Sequence, residues 1–108
     1  MIKSKKLNRF QNINHAFFNR IGGKSTGIFK SLNCGSGSAD KKKNILKNLT
    51  IVKNIINPKS KKIILLNQIH SNKFHFIDKN LKILKNKFEG DALITNRANL
   101  PIAVLTAD

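Results

Sequence analysis

The chain has 108 residues, with 21 Lys and Arg against five Asp and Glu, which gives a net charge of +16. One domain is expected at this length, and no apolar run approaches the roughly 20 residues that a membrane-spanning helix needs. The basic N-terminus is not followed by the apolar stretch of a secretory signal, and the single cysteine, Cys34, cannot form an internal disulfide. These features predict a cytoplasmic protein.

The positive charge suggests nucleic-acid binding, because lysine-rich surfaces bind phosphates through counterion release. However, Lys, Ile and Asn together supply 48 residues, and all three have A/T-rich codons, so biased base composition can account for the lysines. Arginine, which makes bidentate contacts, occurs only three times, and there is no Trp or Tyr for base stacking. A small Lys-rich nucleic-acid-binding protein without catalysis, using the predicted helix and residues 79–87, is therefore kept as the less favoured alternative.

The first 40 residues predict little regular structure. Residues 1–12 are polar and basic and are predicted to form a loose arm or a short edge strand, and the apolar residues 15–18 favour a strand. Residues 21–40 hold five of the six glycines and predict a long structured loop. Ile28, Phe29 and Leu32 are expected to anchor this loop to the core.

A helix is predicted next, with Asp40 as its N-cap. Apolar residues recur at helical spacing, Leu46 and Ile55 widen that apolar face, and lysines occupy the opposite side. Asn57 ends the helix, because the residue before a proline disfavours helical geometry. The residues of the apolar face are Ile45, Leu49, Val52 and Ile56.

Strands are predicted after Pro58. Residues 62–66 form a continuous apolar run, which is typical of a strand buried on both faces. Residues 74–77 alternate, so His75 is expected to face solvent on the side opposite Phe74 and Phe76. Residues 91–95 and 102–106 predict two further strands.

This order of elements indicates an α+β fold with a mixed β-sheet core and a flanking helix. The chain stops directly after the strong apolar strand at 102–106. We therefore expect it to be the N-terminal portion of a larger α/β sandwich-type domain.

Two segments could carry chemistry. Gly23-Lys24-Ser25 lacks the earlier glycine of a nucleotide-binding phosphate loop, since Phe18 stands at that position. The glycine-rich loop beside Arg20 can still present backbone N–H groups and a guanidinium to an anion, and a purely structural turn is equally compatible. His70 follows a predicted buried strand, where an imidazole can ligate a metal, transfer protons or serve as a structural residue.

The other candidate side chains are expected to be inert. His15 is predicted to be structural, and Cys34 has no neighbouring acid–base pair in the sequence. The three histidines lack the close spacing of a zinc finger.

Several segments in one order carry a family resemblance. His15–Gly27, Ser31–Asn33, Gln68–His70, Gly90–Thr95 and Leu105–Asp108 resemble successive motifs of the laccase-domain, or multicopper polyphenol oxidase, family. That family is also called peptidoglycan editing factor and purine nucleoside phosphorylase. On this resemblance, residues 13–108 form the N-terminal part of a laccase domain that is truncated at its C-terminus, preceded by the arm at 1–12.

The resemblance implies a zinc-dependent purine nucleoside phosphorylase that cleaves adenosine or inosine with phosphate and can also deaminate adenosine. It implies a zinc ion held by His70 and by a Cys and a second His that lie beyond Asp108. The 108-residue piece alone is therefore expected to be inactive. Zinc is favoured over copper, because one histidine does not build a multicopper centre.

The resemblance also implies roles for the remaining candidates. Arg20 would bind the phosphate, and Asp108 would orient a metal ligand or a metal-bound water. Ser25, Asn33 and Asp91 would position the nucleoside.

Overall fold

The computed structural model describes residues 1–78 and 88–106. The chain divides into two compact units, Met1–Lys59 and Ser60–Asp108. The described part of the first unit contains two short 3-10 helices, Leu7–Arg9 and Gly27–Phe29, and the helix α1, Lys42–Ile56. The described part of the second unit contains four strands, and the fold is α+β as predicted. The strands are β1 (Leu66–Asn67), β2 (Phe74–Ile77), β3 (Phe88–Glu89) and β4 (Ala92–Thr95).

Helix α1 forms where the helical spacing of apolar residues predicts it. Ile45 and Val52 are buried on one face. The helix ends at Ile56, and the N–H of the C-cap residue Asn57 donates to the carbonyl of Lys53 over 2.7 Å. The prediction that Asp40 is the N-cap is wrong. Lys41 occupies that position without a side-chain cap, because the Asp40 carboxylate is held by side chains of the preceding loop.

The apolar face is narrower than predicted. Leu46 is 65 % exposed, and Ile55 is also exposed. Ile28, expected to anchor the glycine-rich loop, is 94 % exposed, while Phe29 and Leu32 are half-buried. None of the helices in the described ranges is long and apolar enough to cross a lipid bilayer.

The N-terminal residues contact the segment that follows them. Ile2 and Phe17 form an antiparallel bridge with two backbone hydrogen bonds of 2.9 and 2.8 Å, so the strand predicted at 15–18 is reduced to a single bridge. The backbone N–H of Ser4 donates to Nε2 of His15 over 2.7 Å. His15 is therefore structural, as predicted.

The second unit contains two small parallel sheets. β2 pairs with β4, with Phe74 opposite Ala92, and β1 pairs with β3. Of the strand predicted at 62–66, only its last residue lies in β1, and Ile64 makes an isolated bridge to Ile102. That bridge is also all the strand pairing that the described residues show for the strand predicted at 102–106.

The alternation predicted for β2 is correct, but the buried face is the opposite one. Phe74 and Phe76 are exposed, whereas Ile77 is fully buried and His75 half-buried. Nε2 of His75 lies 2.6 Å from the carbonyl oxygen of Glu89, and its ring packs against Phe88 with centroids 5.0 Å apart. The prediction that His75 faces solvent is therefore wrong.

Candidate functional site

The glycine-rich loop of the first unit folds back on itself through backbone hydrogen bonds. The N–H groups of Ser31 and Leu32 both donate to the carbonyl of Arg20, over 2.9 and 2.8 Å, and the N–H of Ser25 donates to the carbonyl of Ser31 over 2.9 Å. The hydroxyl of Ser31 accepts from the N–H of Gly23 over 3.1 Å. These bonds give the loop a defined shape without a strand.

Four polar side chains join this loop to helix α1, and we call them the loop–helix network. Asn48 is 0 % exposed on the helix, and Ser25 is 3 % exposed beneath the loop. The network consists of Ser25, Asn33, Asp40 and Asn48. In the described part of the chain no buried side-chain nitrogen or oxygen lacks a hydrogen-bond partner, so these polar groups are compatible with burial.

Asn48 is the centre of the loop–helix network. Its Oδ1 accepts from the N–H of Lys24 over 2.7 Å, while its Nδ2 donates to Oγ of Ser25 over 2.9 Å and to the carbonyl of Asn33 over 2.8 Å. One amide group therefore joins two separate parts of the glycine-rich loop to the helix.

The carboxylate of Asp40 completes the network. It accepts from Oγ of Ser25 over 2.5 Å, from Nδ2 of Asn33 over 3.2 Å and from the N–H of Lys41 over 2.8 Å. The hydrogen bond from Ser25 is the largest cause that lowers the pKa of Asp40 below its ordinary value, followed by the bond from Asn33, and together these outweigh desolvation. The network thus favours an ionised Asp40.

A pH dependence of folding follows from Asp40. Because its pKa is lower in the folded state, its stabilising contribution is fully present above the unfolded value, about pH 4, and is lost as the pH falls through the folded pKa. We expect the stability difference between the wild type and Asp40→Asn to be constant above about pH 5 and to shrink as the pH falls below it. Urea unfolding at each pH measures it. The stability difference between the wild type and Ser25→Ala should shrink less with pH than the difference for Asp40→Asn. A difference for Asp40→Asn that stays constant with pH would contradict the lowered pKa of Asp40.

Arg20 lies beside the loop with its side chain exposed. Among the described residues no hydrogen bond or ion pair engages its guanidinium. The N–H groups of Ile21, Gly23, Lys24 and Ser25 are used by acceptors within the first unit. Of the two alternatives that the sequence left open, these four positions therefore favour a structural turn over N–H groups that face an anion. The exposed cations in and beside the loop are the side chains of Arg20, Lys24 and Lys30.

The predicted site residues Ser25 and Asn33 belong to the loop–helix network. Ser25 accepts from Asn48 and donates to Asp40, so both functions of its hydroxyl are used inside the unit. Asn33 is half-buried, and its Nδ2 donates to Ser38 and to Asp40. The structure brings these two predicted residues together.

Asp91 and His70 come together in the second unit. The Oδ1 atom of Asp91 accepts from the N–H of His70 over 3.0 Å. Its Oδ2 atom accepts from the N–H and the hydroxyl of Ser71, over 2.6 and 2.7 Å. The hydrogen bond from the Ser71 side chain is the largest cause that lowers the pKa of Asp91, followed by those from the backbone of Ser71, His70 and Ile69. We call residues 69–71 the His70 loop.

His70 has a left-handed backbone conformation, with φ of +56°. Side-chain-bearing residues disfavour this region by roughly 1–2 kcal/mol, so local hydrogen bonds must hold it there. The imidazole is exposed, and neither ring nitrogen has a hydrogen-bond partner within residues 1–78 and 88–106. The described residues therefore leave both ring nitrogens available to a ligand.

Gln68, two residues before His70, also has a defined partner. Its Oε1 accepts from the N–H of Leu105 over 3.2 Å, which links the segment after residue 102 to the start of the His70 loop. Asp108, the remaining predicted site residue, lies outside the described residues.

Comparison with known proteins identifies the family. Residues 14–108 match the family described as multi-copper polyphenol oxidoreductase laccases. The chain belongs to this laccase family. A purine nucleoside phosphorylase of Corynebacterium glutamicum is 31 % identical over 96 residues, which cover 89 % of this chain and 39 % of that protein.

A solved structure has a similar fold over part of its length. The crystal structure of the hypothetical protein YfiH of Bacillus licheniformis matches with a TM-score of 0.70 and 26 % identity, over 82 % of this chain and 36 % of that one. The chain therefore spans less than two-fifths of the length of either relative. The resemblance carried by the motifs is confirmed.

The name of the laccase family includes copper, and a metal site needs several side chains that can bind the ion together. The described residues include no group of three His, Cys, Asp or Glu side chains placed to hold an ion. Burial raises the pKa of the Cys34 thiol, which disfavours the thiolate that binds metals and agrees with the inert role predicted for it. The free imidazole of His70 fits one ligand position, and the described residues do not complete a metal site by themselves.

Proposed function

We propose that this chain is the N-terminal part of a zinc-dependent purine nucleoside phosphorylase acting on adenosine and inosine, with adenosine deamination as a further activity. The observation that carries the proposal is the exposed imidazole of His70, which has no hydrogen-bond partner among the described residues and lies on a loop held by Asp91. The 31 % identity with a protein named as a purine nucleoside phosphorylase supports the substrate class. A location in the cytoplasm belongs to the same proposal.

In this reaction a phosphate oxygen attacks C1′ of the ribose and the bond to the purine nitrogen breaks. The products are the free base and ribose 1-phosphate. Negative charge must be bound on the phosphate, and charge develops on the ribose and the leaving purine. The chain must therefore supply a cation for phosphate and groups that orient the nucleoside.

Arg20 is the residue proposed to bind phosphate. Its guanidinium is exposed and has no partner among the described residues. A planar guanidinium can bind two phosphate oxygens at once. Lys24, also exposed, adds positive charge beside the same loop.

Ser25 and Asn33 are proposed to position the nucleoside by giving the glycine-rich loop its shape. Burial of Ser25 and the internal bonds of Asn33 support an action through the loop. Asp91 is assigned to the nucleoside side through the His70 loop, and Asp108 to orienting a metal ligand or its water.

The proposed metal is zinc, with His70 as one ligand and the others from outside the described residues. When bound, zinc would supply a Lewis acid that polarises an oxygen of phosphate or water. A nucleic-acid-binding protein without catalysis is the alternative, supported by exposed lysines at the N-cap of α1 and in its first two turns. These are Lys41, Lys42, Lys43 and Lys47.

The test uses the complete polypeptide that contains residues 1–108, loaded with zinc. It should release hypoxanthine from inosine only when phosphate is present, with the products separated by chromatography. Arg20→Ala should raise KM for phosphate by roughly 10- to 100-fold, which corresponds to loss of one charge-assisted hydrogen bond. KM for inosine should change much less.

Arg9→Ala is the matched control, because Arg9 is an exposed arginine of the 3-10 helix Leu7–Arg9. It should leave both KM values at the wild-type level. Normal inosine binding without phosphate-dependent release would refute the proposed activity. An equal effect of Arg9→Ala and Arg20→Ala would refute the role of Arg20.

A further inference from the structure

We propose that Asp91 is a positioning residue for His70: its carboxylate fixes the backbone of the His70 loop and leaves the imidazole free to bind its ligand. The ligand, zinc, rests on the proposed function. The hold on the loop rests on the geometry alone.

Asp91 is itself fixed by the sheet. It directly precedes β4, which is in register with β2 from Phe74 to Ile77. Its own N–H donates to the carbonyl of Lys73 over 2.9 Å, and the N–H of Gly90 donates to Asn67 over 3.1 Å. The carboxylate is therefore attached to the most regular part of the second unit, and it can impose a position on a loop that has no strand pairing of its own.

Both oxygens of Asp91 are used by the His70 loop. Oδ1 accepts from His70, and Oδ2 accepts twice from Ser71. Successive backbone N–H groups can converge on one anion when a left-handed residue turns the chain, which forms a small anion-binding concavity. The φ of +56° at His70 supplies that turn. The carboxylate is thus an internal anion that stabilises an unfavourable conformation of His70.

Asp91 contacts the main chain of His70 and not its imidazole, and this contact defines its proposed function. Carboxylates beside metal-binding histidines commonly accept a hydrogen bond from the imidazole itself. Here Asp91 binds the main chain of His70, and neither nitrogen of the ring is used within residues 1–78 and 88–106. Asp91 therefore sets where the ring is presented without occupying either nitrogen.

Asp91→Asn tests this inference. The amide nitrogen of the asparagine is itself a donor, and at either Oδ position it would face a backbone N–H, of His70 or of Ser71, that needs an acceptor. We expect the amide of Ser71 to exchange with solvent at least tenfold faster, measured without metal. In the complete polypeptide we expect zinc affinity, measured by competition with a chromophoric chelator, to fall about tenfold, as for other residues that orient metal ligands.

Glu89→Gln is the matched control, since it removes the same charge two residues away and its side chain is exposed. It should leave both the Ser71 exchange rate and the zinc affinity at wild-type values. Ser71→Ala, which removes one of the three bonds to Asp91, should raise the exchange rate less than Asp91→Asn does. This milder variant applies the same test if Asp91→Asn does not fold.

Two outcomes would overturn the inference. One is an unchanged Ser71 exchange rate in Asp91→Asn, or in Ser71→Ala if that is the variant that folds. The other is unchanged zinc affinity in Asp91→Asn when His70→Ala has lost zinc. If His70→Ala keeps its zinc, the zinc assignment of the proposed function fails instead, and the Ser71 exchange rate alone decides whether Asp91 positions His70.

Discussion

Replacing Asn48 with leucine is expected to lower the free energy of unfolding by about 3 kcal/mol. Leucine has the same number and branching of side-chain heavy atoms but removes three hydrogen bonds, to Lys24, Ser25 and Asn33. The N–H of Lys24 and the carbonyl of Asn33 would lose the partner that Asn48 gives them. Groups left unsatisfied in this way cost about 1–3 kcal/mol each, and the added apolar burial offsets part of the loss. Urea denaturation followed by far-ultraviolet circular dichroism measures the change.

Asn54→Leu is the control on the same helix, because Asn54 is exposed. It should change stability by no more than about 0.5 kcal/mol. Asn48→Asp provides a second variant: it keeps the acceptor for Lys24 but loses both donated bonds and puts a second carboxylate next to the hydroxyl that donates to Asp40. It should be at least as destabilised as Asn48→Leu. Similar small effects at positions 48 and 54 would show that the loop–helix network contributes little to stability.

The role of Asn48 could have been read from the sequence. It lies three residues after Ile45 and four before Val52, so helical spacing places it on the buried face of α1. A polar residue there must find hydrogen-bond partners. Because the predicted buried face followed only the apolar residues, it was widened to Leu46 and Ile55, which are exposed, and did not include Asn48.

The strands show a different limit of sequence analysis. Alternation correctly predicted that Phe74 and Phe76 share one face of β2, but not which face is buried. A period of two separates the faces, and tertiary partners decide between them. His75 is half-buried because Glu89 and Phe88, distant in sequence, pack against it.

For the candidate site, the motifs named residues but carried no information on the contacts between them. His70 and Asp91 were both predicted, and the structure brings them together across 21 positions of sequence. Their contact uses the main chain of His70, and residue types carry no direct signal for it. Similarly, glycines beside Arg20 suggested free backbone N–H groups, whereas the fold of the loop uses them internally.

Gly23→Ala is expected to destabilise the first unit by about 2 kcal/mol, because overpacking against a fixed neighbour costs about 1–3 kcal/mol. A Cβ at this position would overlap the carbonyl group of Ser31 and Cα of Leu32. These are backbone atoms, held by hydrogen bonds to Arg20 and Ser25, so they cannot rotate away as a side chain could. The loop would have to open where Gly23 contacts Ser31, and urea denaturation would measure the loss of stability.

Gly37→Ala and Gly22→Ala distinguish the effect of steric overlap from the effect of backbone conformation. Apart from the glycine itself and its two chain neighbours, no atom of the described residues lies within 4 Å of a Cβ at either position, but Gly22 has φ of +98°. Gly37→Ala should therefore be close to neutral, and Gly22→Ala should lose roughly 1–2 kcal/mol from its left-handed backbone alone. If Gly23→Ala lost no more stability than Gly37→Ala, that result would contradict the close contact between Gly23 and Ser31. The return of the loop onto Arg20, and with it the placement of the proposed phosphate-binding guanidinium, would then lose its support.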